Sequence, residues 1–424
     1  MLFERIMKRN PELIEAAIDL HQAGAVPPAT FLVDLDAIAE NARTMADEAH
    51  KHGLRVFLMT KQNGRNPYIT RVALAQGIDT TVVVETIEAR IVHRFNLPIG
   101  HVGHLSNIPM SAIPHVVGME PEYITVFTVE SAKAISDAAV ALGREQAVYV
   151  RVNKLGDEIF RGMVGGWLED DCVAGIAPIL ELPNIRLAGL TSFPTTSYRT
   201  RDPRQAVPTD SFHTMMRAKA KLEDAFGLKE LRVNAPSFNN TATFAMLAEH
   251  GATDVEPGTG LLGSSLAHAY HDLPEKPAQV YVSEVMHHWE GETYTLGGGL
   301  TYLETYGGQT DYQLRCMIGS SFEEAKGNFM NLLERGVIDY HVVCGDGGTS
   351  RVGDTALFAL HPQYFVNRAY VGVVSGVSRG TPKLEALFDS ACNELDEEFR
   401  PVQPQTTVKR MDKLVAQQYT AAAA

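Results

Sequence analysis

Four cysteines, two tryptophans and no long apolar run are what this chain of 424 residues has least of. Cys172, Cys316, Cys344 and Cys392 stand far apart with no CxxC pair, which argues against a disulfide framework or a thiolate zinc site and fits a reducing cytoplasm. Nowhere do eighteen apolar residues follow one another, so no membrane-spanning helix is expected. The stretch Met1 to Pro11 carries Glu4, Arg5, Lys8 and Arg9 where a secretory signal needs an apolar run. Positive charge is short as well: 37 Lys plus Arg against 51 Asp plus Glu give a formal net charge of −14. That balance repels nucleic acid and anionic membrane, and any anionic ligand must be held by local donors. No GxGxxG follows an early strand, which argues against an open dinucleotide-binding sheet. His287, His288, Asp346 and His361 lack ligand spacing, and no metal site is expected.

What is present is a regular alternation. From Thr30 to about Leu262, short β-branched or apolar runs alternate with helical patterns. The strands drawn are Phe31–Asp34, Arg55–Thr60, Thr81–Glu85, His101–Leu105, Ile124–Thr128, Ala147–Asn153, Arg186–Phe193, Leu231–Ala235 and Thr253–Pro257. The first is preliminary, and the other eight predict a closed (β/α)8 TIM barrel. Asp36 and Thr128 are expected to open helices. After about Tyr270 the texture becomes β-rich, with runs at Gln279–Val285, Tyr312–Met317, Tyr340–Cys344, Ala356–Leu360 and Tyr364–Val374. The expected organisation is a helical segment over 1–27, the barrel over 28–270, a C-terminal β-rich domain over 271–398 and a tail of little fixed structure over 399–424.

In such a barrel, functional groups sit at the C-terminal ends of the strands. The run Val56-Phe57-Leu58-Met59-Thr60 ends in Lys61, where desolvation lowers an amine's pKa and readies it for imine formation; a surface lysine is the plain alternative. His104 ends the third barrel strand, a position more often structural than catalytic. Arg151 and Arg161 flank the loop after the fifth strand and are read either as solvated charges or as partners for a carboxylate or a phenolic oxygen.

Val33-Asp34-Leu35-Asp36-Ala37-Ile38 with Asn41, then Lys61, then Val84-Glu85-Thr86-Ile87-Glu88-Ala89 and Val255-Glu256-Pro257-Gly258 resemble the alanine racemases in order and spacing. Met59-Thr60-Lys61-Gln62, Asn234-Ala235-Pro236-Ser237, Gly297-Gly298-Gly299 and Ser375-Gly376-Val377 look more closely like the YhfX group of bacterial proteins. The resemblance implies pyridoxal 5'-phosphate held by a Schiff base to Lys61. It implies Ser237 with Gly258 and Thr259 on the phosphate and Glu256 facing the ring nitrogen; His104, by its strand-end position, is the candidate to approach the ring. Alanine racemases carry arginine at that last position, whereas decarboxylases of the fold carry glutamate. A carboxylate keeps the ring nitrogen protonated and the cofactor a strong electron sink.

Many relatives carry a histidine where Ser192 follows Gly189-Leu190-Thr191. A homodimer is implied, with a tyrosine of the partner's β domain as second base; Tyr294, Tyr302 and Tyr306, with His287-His288 before them, are the candidates, and none sits in the identifying Gly-Tyr pattern. Cys344-Gly345-Asp346 is close to the Cys-acidic pair of the decarboxylases. The expected activity is amino-acid racemisation or epimerisation on a small amine-bearing substrate. The alternatives are a decarboxylase or lyase of the same fold, and a cofactor-binding regulatory protein without turnover.

Overall fold

In a computed structural model, the described residues are 2–157, 159–198, 202–300, 314–335, 340–362 and 368–420. They form two compact units: residues 43–61 with 77–258, and residues 1–42 with 62–76 and 259–424.

The first unit is the barrel. With β1 reserved for Thr30–Asp34, its strands are β2 (Arg55–Met59), β3 (Thr80–Val83), β4 (His101–Val102), β5 (Tyr123–Val126), β6 (Gln146–Asn153), β7 (Ile185–Thr191), β8 (Arg232–Ala235) and β9 (Asp254–Val255). Each pairs in parallel with the next. β9 pairs back onto β2, Asp254 opposite Arg55 and Val255 opposite Val56, which closes a ring of eight. Runs such as Thr80-Thr81-Val82-Val83, wholly buried, suit strands covered on both faces. Helix starts are fixed by side chains: Thr128 accepts from the Ser131 amide at 3.1 Å, as the sequence predicts. At the helix Leu35–Lys51 the cap is Asp34 rather than Asp36, since its Oδ1 accepts from the amides of Asp36 at 2.9 Å and Ala37 at 3.3 Å.

The second unit is built on β10 (Gln279–Trp289), β11 (Glu292–Leu296), β12 (Arg315–Gly319), β13 (Phe329–Arg335), β14 (His341–Gly345), β15 (Thr355–Phe358), β16 (Tyr370–Ser375), β17 (Lys383–Phe388) and β18 (Glu394–Leu395). β10, β11, β14, β13, β12 and β15 pair antiparallel in a closed ring of six. β1 leaves the barrel altogether: it lies between β10 and β16, antiparallel to one and parallel to the other. Helices Leu2–Arg9 and Pro11–Gln22 bury Phe3, Leu13 and Ile18 in one core with Leu32, Val280 and Leu357. The boundaries expected near residues 28 and 270 therefore move. Residues 1–42 and 62–76 belong with the β unit, whose remaining residues start at Thr259.

The expected tail is also corrected. Pro404–Gln418 is a helix with proline in its first turn, where the missing amide costs nothing, and Thr407, Met411, Leu414 and Val415 repeat as its buried stripe. It packs on the helix Pro67–Ala75, with Arg71 3.0 Å from Asp412. Gln76 donates to the Tyr419 carbonyl, and Tyr419 donates to Asp36 at 2.7 Å. Arg65 donates to the Ser390 carbonyl at 3.3 Å. The residues directly after Lys61 are thus held by the C-terminal end of the chain. Deletion of 403–424 uncovers the Met411, Leu414, Val415 and Tyr419 contacts and is expected to remove on the order of 5 kcal/mol from this unit. An earlier urea midpoint checks this, and an unchanged midpoint contradicts it.

Candidate active site

Lys61 stands one residue beyond the end of β2, after Thr60, and Glu256 directly follows β9, the strand that closes the ring against it. The Met59 amide donates to the Pro257 carbonyl at 2.9 Å, so the two strand ends are laced together past the regular pairing. Burial lowers the Lys61 pKa, with Glu88 and Glu256 opposing, and the net effect brings the amine closer to its neutral form.

Glu256 is the centre of a buried polar cluster. Its Oε1 lies 2.8 Å from His101 Nδ1 and accepts from Asn234 Nδ2 at 2.8 Å. Its Oε2 lies 3.5 Å from His104 Nε2, and its amide donates to Asn239 Oδ1 at 2.7 Å. Burial by itself would raise the Glu256 pKa, but His104, His101 and Asn234 outweigh it and hold the carboxyl below its ordinary value. The His104 imidazole, wholly enclosed, is driven down to about 3 by burial, with Glu256 opposing.

Arg151, on β6, is the largest fully buried side chain. It donates to the carbonyls of His104 at 2.6 Å, Met163 at 2.9 Å and Phe193 at 3.5 Å, and burial brings its pKa down to about 10. The loop bearing Met163 folds back onto β6 at Gly166, whose φ of +88° and contact with the Arg151 carbonyl leave no room for a Cβ. Arg161 opens the turn Arg161–Met163 of that loop.

Ser237 and Phe238 follow β8 with φ of +92° and +50°, two successive left-handed residues without glycine. That turn brings Ser237 Oγ under the amides of Thr195 at 3.0 Å and Thr196 at 3.2 Å, so the hydroxyl accepts twice and keeps its own proton to donate. Asn239 Nδ2 donates to the Ser237 carbonyl at 3.1 Å, tying this loop to Glu256. Gly258 ends the barrel unit and Thr259 begins the other, its carbonyl accepting from the Ser264 amide at 3.2 Å.

Lys61, His104, Ser237 and Glu256 therefore come together at the C-terminal strand ends. Tyr294 and Cys344 lie in the β unit. The Tyr294 ring, partly exposed on β11, stacks on His287 at 4.5 Å and donates to Glu292 at 3.4 Å, and its pKa is raised by desolvation and then by Glu292. Cys344 is fully buried on β14 beside Cys316, the commoner fate of a strand cysteine. Tyr302 and Tyr306 lie outside the described residues. Sequence reasoning missed the roles of His101 and Asn234. Their signal was a polar residue at an inward-facing strand position, visible only once the register is known.

Residues 33–266 match the family described as alanine racemase, N-terminal domain, and residues 280–384 the family described as YhfX-like, C-terminal domain. An Escherichia coli K12 protein described as uncharacterized protein YhfX is 33% identical over 395 residues, 93% of this chain and 100% of the relative. Among solved structures, D-threonine aldolase from Filomicrobium marinum shares the fold with a TM-score of 0.64 at 18% identity, covering 87% of this chain and 96% of that one. Alanine racemase from Clostridium difficile 630 does so with a TM-score of 0.60 at 17% identity, covering 86% and 99%. D-threo-3-hydroxyaspartate dehydratase from Delftia sp. HT23 does so with a TM-score of 0.62 at 16% identity, covering 84% and 96%. No helix among the described residues is long and apolar enough to cross a membrane. With more than half its length matched by the racemase domain and nearly all of it by the YhfX relative, this chain belongs to the pyridoxal-phosphate-binding family of the alanine racemase fold, in the branch with a YhfX-like C-terminal domain.

Proposed function

We propose that the protein is an amino-acid racemase or epimerase that exchanges the α-proton of its substrate, with Lys61 as cofactor anchor and as one base. The observation that carries this reading is the pair on the closing strands: an amine with a lowered pKa after β2 and a buried, ionised carboxylate after β9.

The residues fit pyridoxal phosphate on their own chemistry. Thr60 Oγ1, His104 Nδ1, Arg151 Nε, Ser192 Oγ and Glu256 Oε2 are buried polar atoms without a hydrogen-bond partner among the described residues, which leaves each to be satisfied by water or by a bound ligand. Lys61 would hold the aldehyde carbon, Glu256 the ring nitrogen, and Ser237 with Gly258 and Thr259 the phosphate. Arg151, a buried cation bonded only to carbonyls in the contacts above, suits the phenolic oxygen or a substrate carboxylate. When bound, the cofactor supplies an electron sink for the α-carbon.

Inversion also needs a base on the opposite face. Tyr294 of a second copy is the described candidate, which makes a homodimer part of the proposal. A second reading, a lyase or decarboxylase, is favoured by Glu256, since a protonated ring supports more than proton exchange. Cys344, buried against Cys316, lends it no support.

The test is a panel of amino acids in heavy water with the cofactor-loaded protein. Deuterium at the α-carbon with loss of optical purity, and no carbon dioxide, ammonia or aldehyde, is expected. Release of any of those products favours the second reading, and neither exchange nor product release with any amino acid overturns both.

A further inference from the structure

The inside of a barrel of this kind is ordinarily filled by bulky aliphatic side chains. Here a line of polar groups crosses it at the level of Glu256, drawn from five strands: Thr125 of β5, His101 of β4, Glu256 after β9, Asn234 of β8 and Thr191 of β7. Thr125, His101, Asn234 and Thr191 are 0% exposed and Glu256 is 5% exposed.

The contacts run without a break. Thr125 Oγ1 lies 2.6 Å from His101 Nε2, His101 Nδ1 lies 2.8 Å from Glu256 Oε1, Asn234 Nδ2 donates to that same oxygen at 2.8 Å, and Thr191 Oγ1 donates to Asn234 Oδ1 at 2.8 Å. The carboxylate fixes the direction of the bonds made to it. An ionised carboxylate only accepts, so the bond from His101 places that ring's proton on Nδ1. A single proton on that ring leaves Nε2 to accept, with Thr125 as the donor. On the other side Asn234 donates through its amide nitrogen and receives from Thr191 through its oxygen. Both arms point their protons at Glu256. Oε1 has two donors, whereas Oε2 has no hydrogen bond among the described residues and only the longer 3.5 Å approach of His104 Nε2.

We infer that His101, locked in one tautomer by Thr125, is a positioning residue that holds Glu256 ionised through one oxygen and reserves the other for a cationic N–H of the ligand. This rests on the reading of Lys61 and Glu256 as a cofactor site, the N–H being that of the protonated ring. Asn234, locked by Thr191, is the matching arm. Aliphatic neighbours alone would leave a buried carboxylate that takes up a proton rather than share one with a ligand.

The test compares His101→Gln, which keeps an amide donor, with His101→Met, which fills similar space without one. Both are loaded with pyridoxal phosphate and read by the visible absorption of the bound cofactor and by α-proton exchange in heavy water. His101→Met is expected to exchange about 10- to 100-fold more slowly, the worth of one hydrogen bond to a charged group, and to show a shifted visible band. His101→Gln should recover most of both. Thr125→Val, a milder change, should move spectrum and rate the same way by a smaller factor, and it carries the test if the methionine variant fails to fold. A methionine variant with wild-type spectrum and rate overturns the inference. So do glutamine and methionine variants slowed equally with unchanged spectra, which would mean packing alone. Wild-type protein that takes no cofactor on Lys61 overturns the underlying reading as well, whereas labelled Lys61 with an inert His101→Met overturns this inference only.

Discussion

Lys61→Ala should abolish α-proton exchange, with a loss of about 10⁴-fold or more, because one side chain is asked both to anchor the cofactor and to move the proton. The expected loss is specific. Lys61 is a partly buried residue at a strand end, and β2 pairs through Arg55 to Met59 without it, so the variant should unfold at the wild-type temperature. Circular dichroism and steady-state exchange on the same preparation separate the two effects. Exchange that persists in a folded Lys61→Ala protein would mean that another group does the chemistry.

Glu256→Gln should fold, bind cofactor and lose about 10²- to 10³-fold in exchange, the usual cost of removing one preorganised electrostatic partner from an enclosed site. Glutamine is nearly isosteric, and its oxygen can still accept from His101 and Asn234, which makes the charge the main difference. The account predicts that the visible spectrum of the bound cofactor changes together with the rate. A Glu256→Gln protein with wild-type rate and spectrum would remove the carboxylate from the site and, with it, the reason to expect a protonated ring.

Much of this fold was legible in the residues. The eight barrel strands announce themselves by β-branched runs at steady spacing, and even the preliminary character of Thr30–Asp34 could be read. Its destination could not, because pairing with β10 and β16 depends on residues some 250 and 340 positions away. The helix Pro404–Gln418 was taken for a tail because prolines and glutamines masked a buried stripe only four residues strong. β11, β13 and β17 were passed over, since alternation such as Glu292-Thr293-Tyr294-Thr295-Leu296 is strand-like only when one side of it is buried.

At the site, Lys61 and Glu256 were legible as motifs and stand on adjoining strands. His101, Asn234 and Thr125 were not, because a polar residue inside a barrel reads in sequence like one outside it. Cys344 was proposed from a decarboxylase pattern interrupted by Gly345, and it lies instead in the core of the β unit.

The most direct measurement of the central claim is reduction of the cofactor-loaded protein with borohydride, followed by peptide mapping. A visible band that disappears on reduction and a phosphopyridoxyl label on Lys61 alone are expected. A label on any other lysine, or a band that survives in Lys61→Ala, would contradict it.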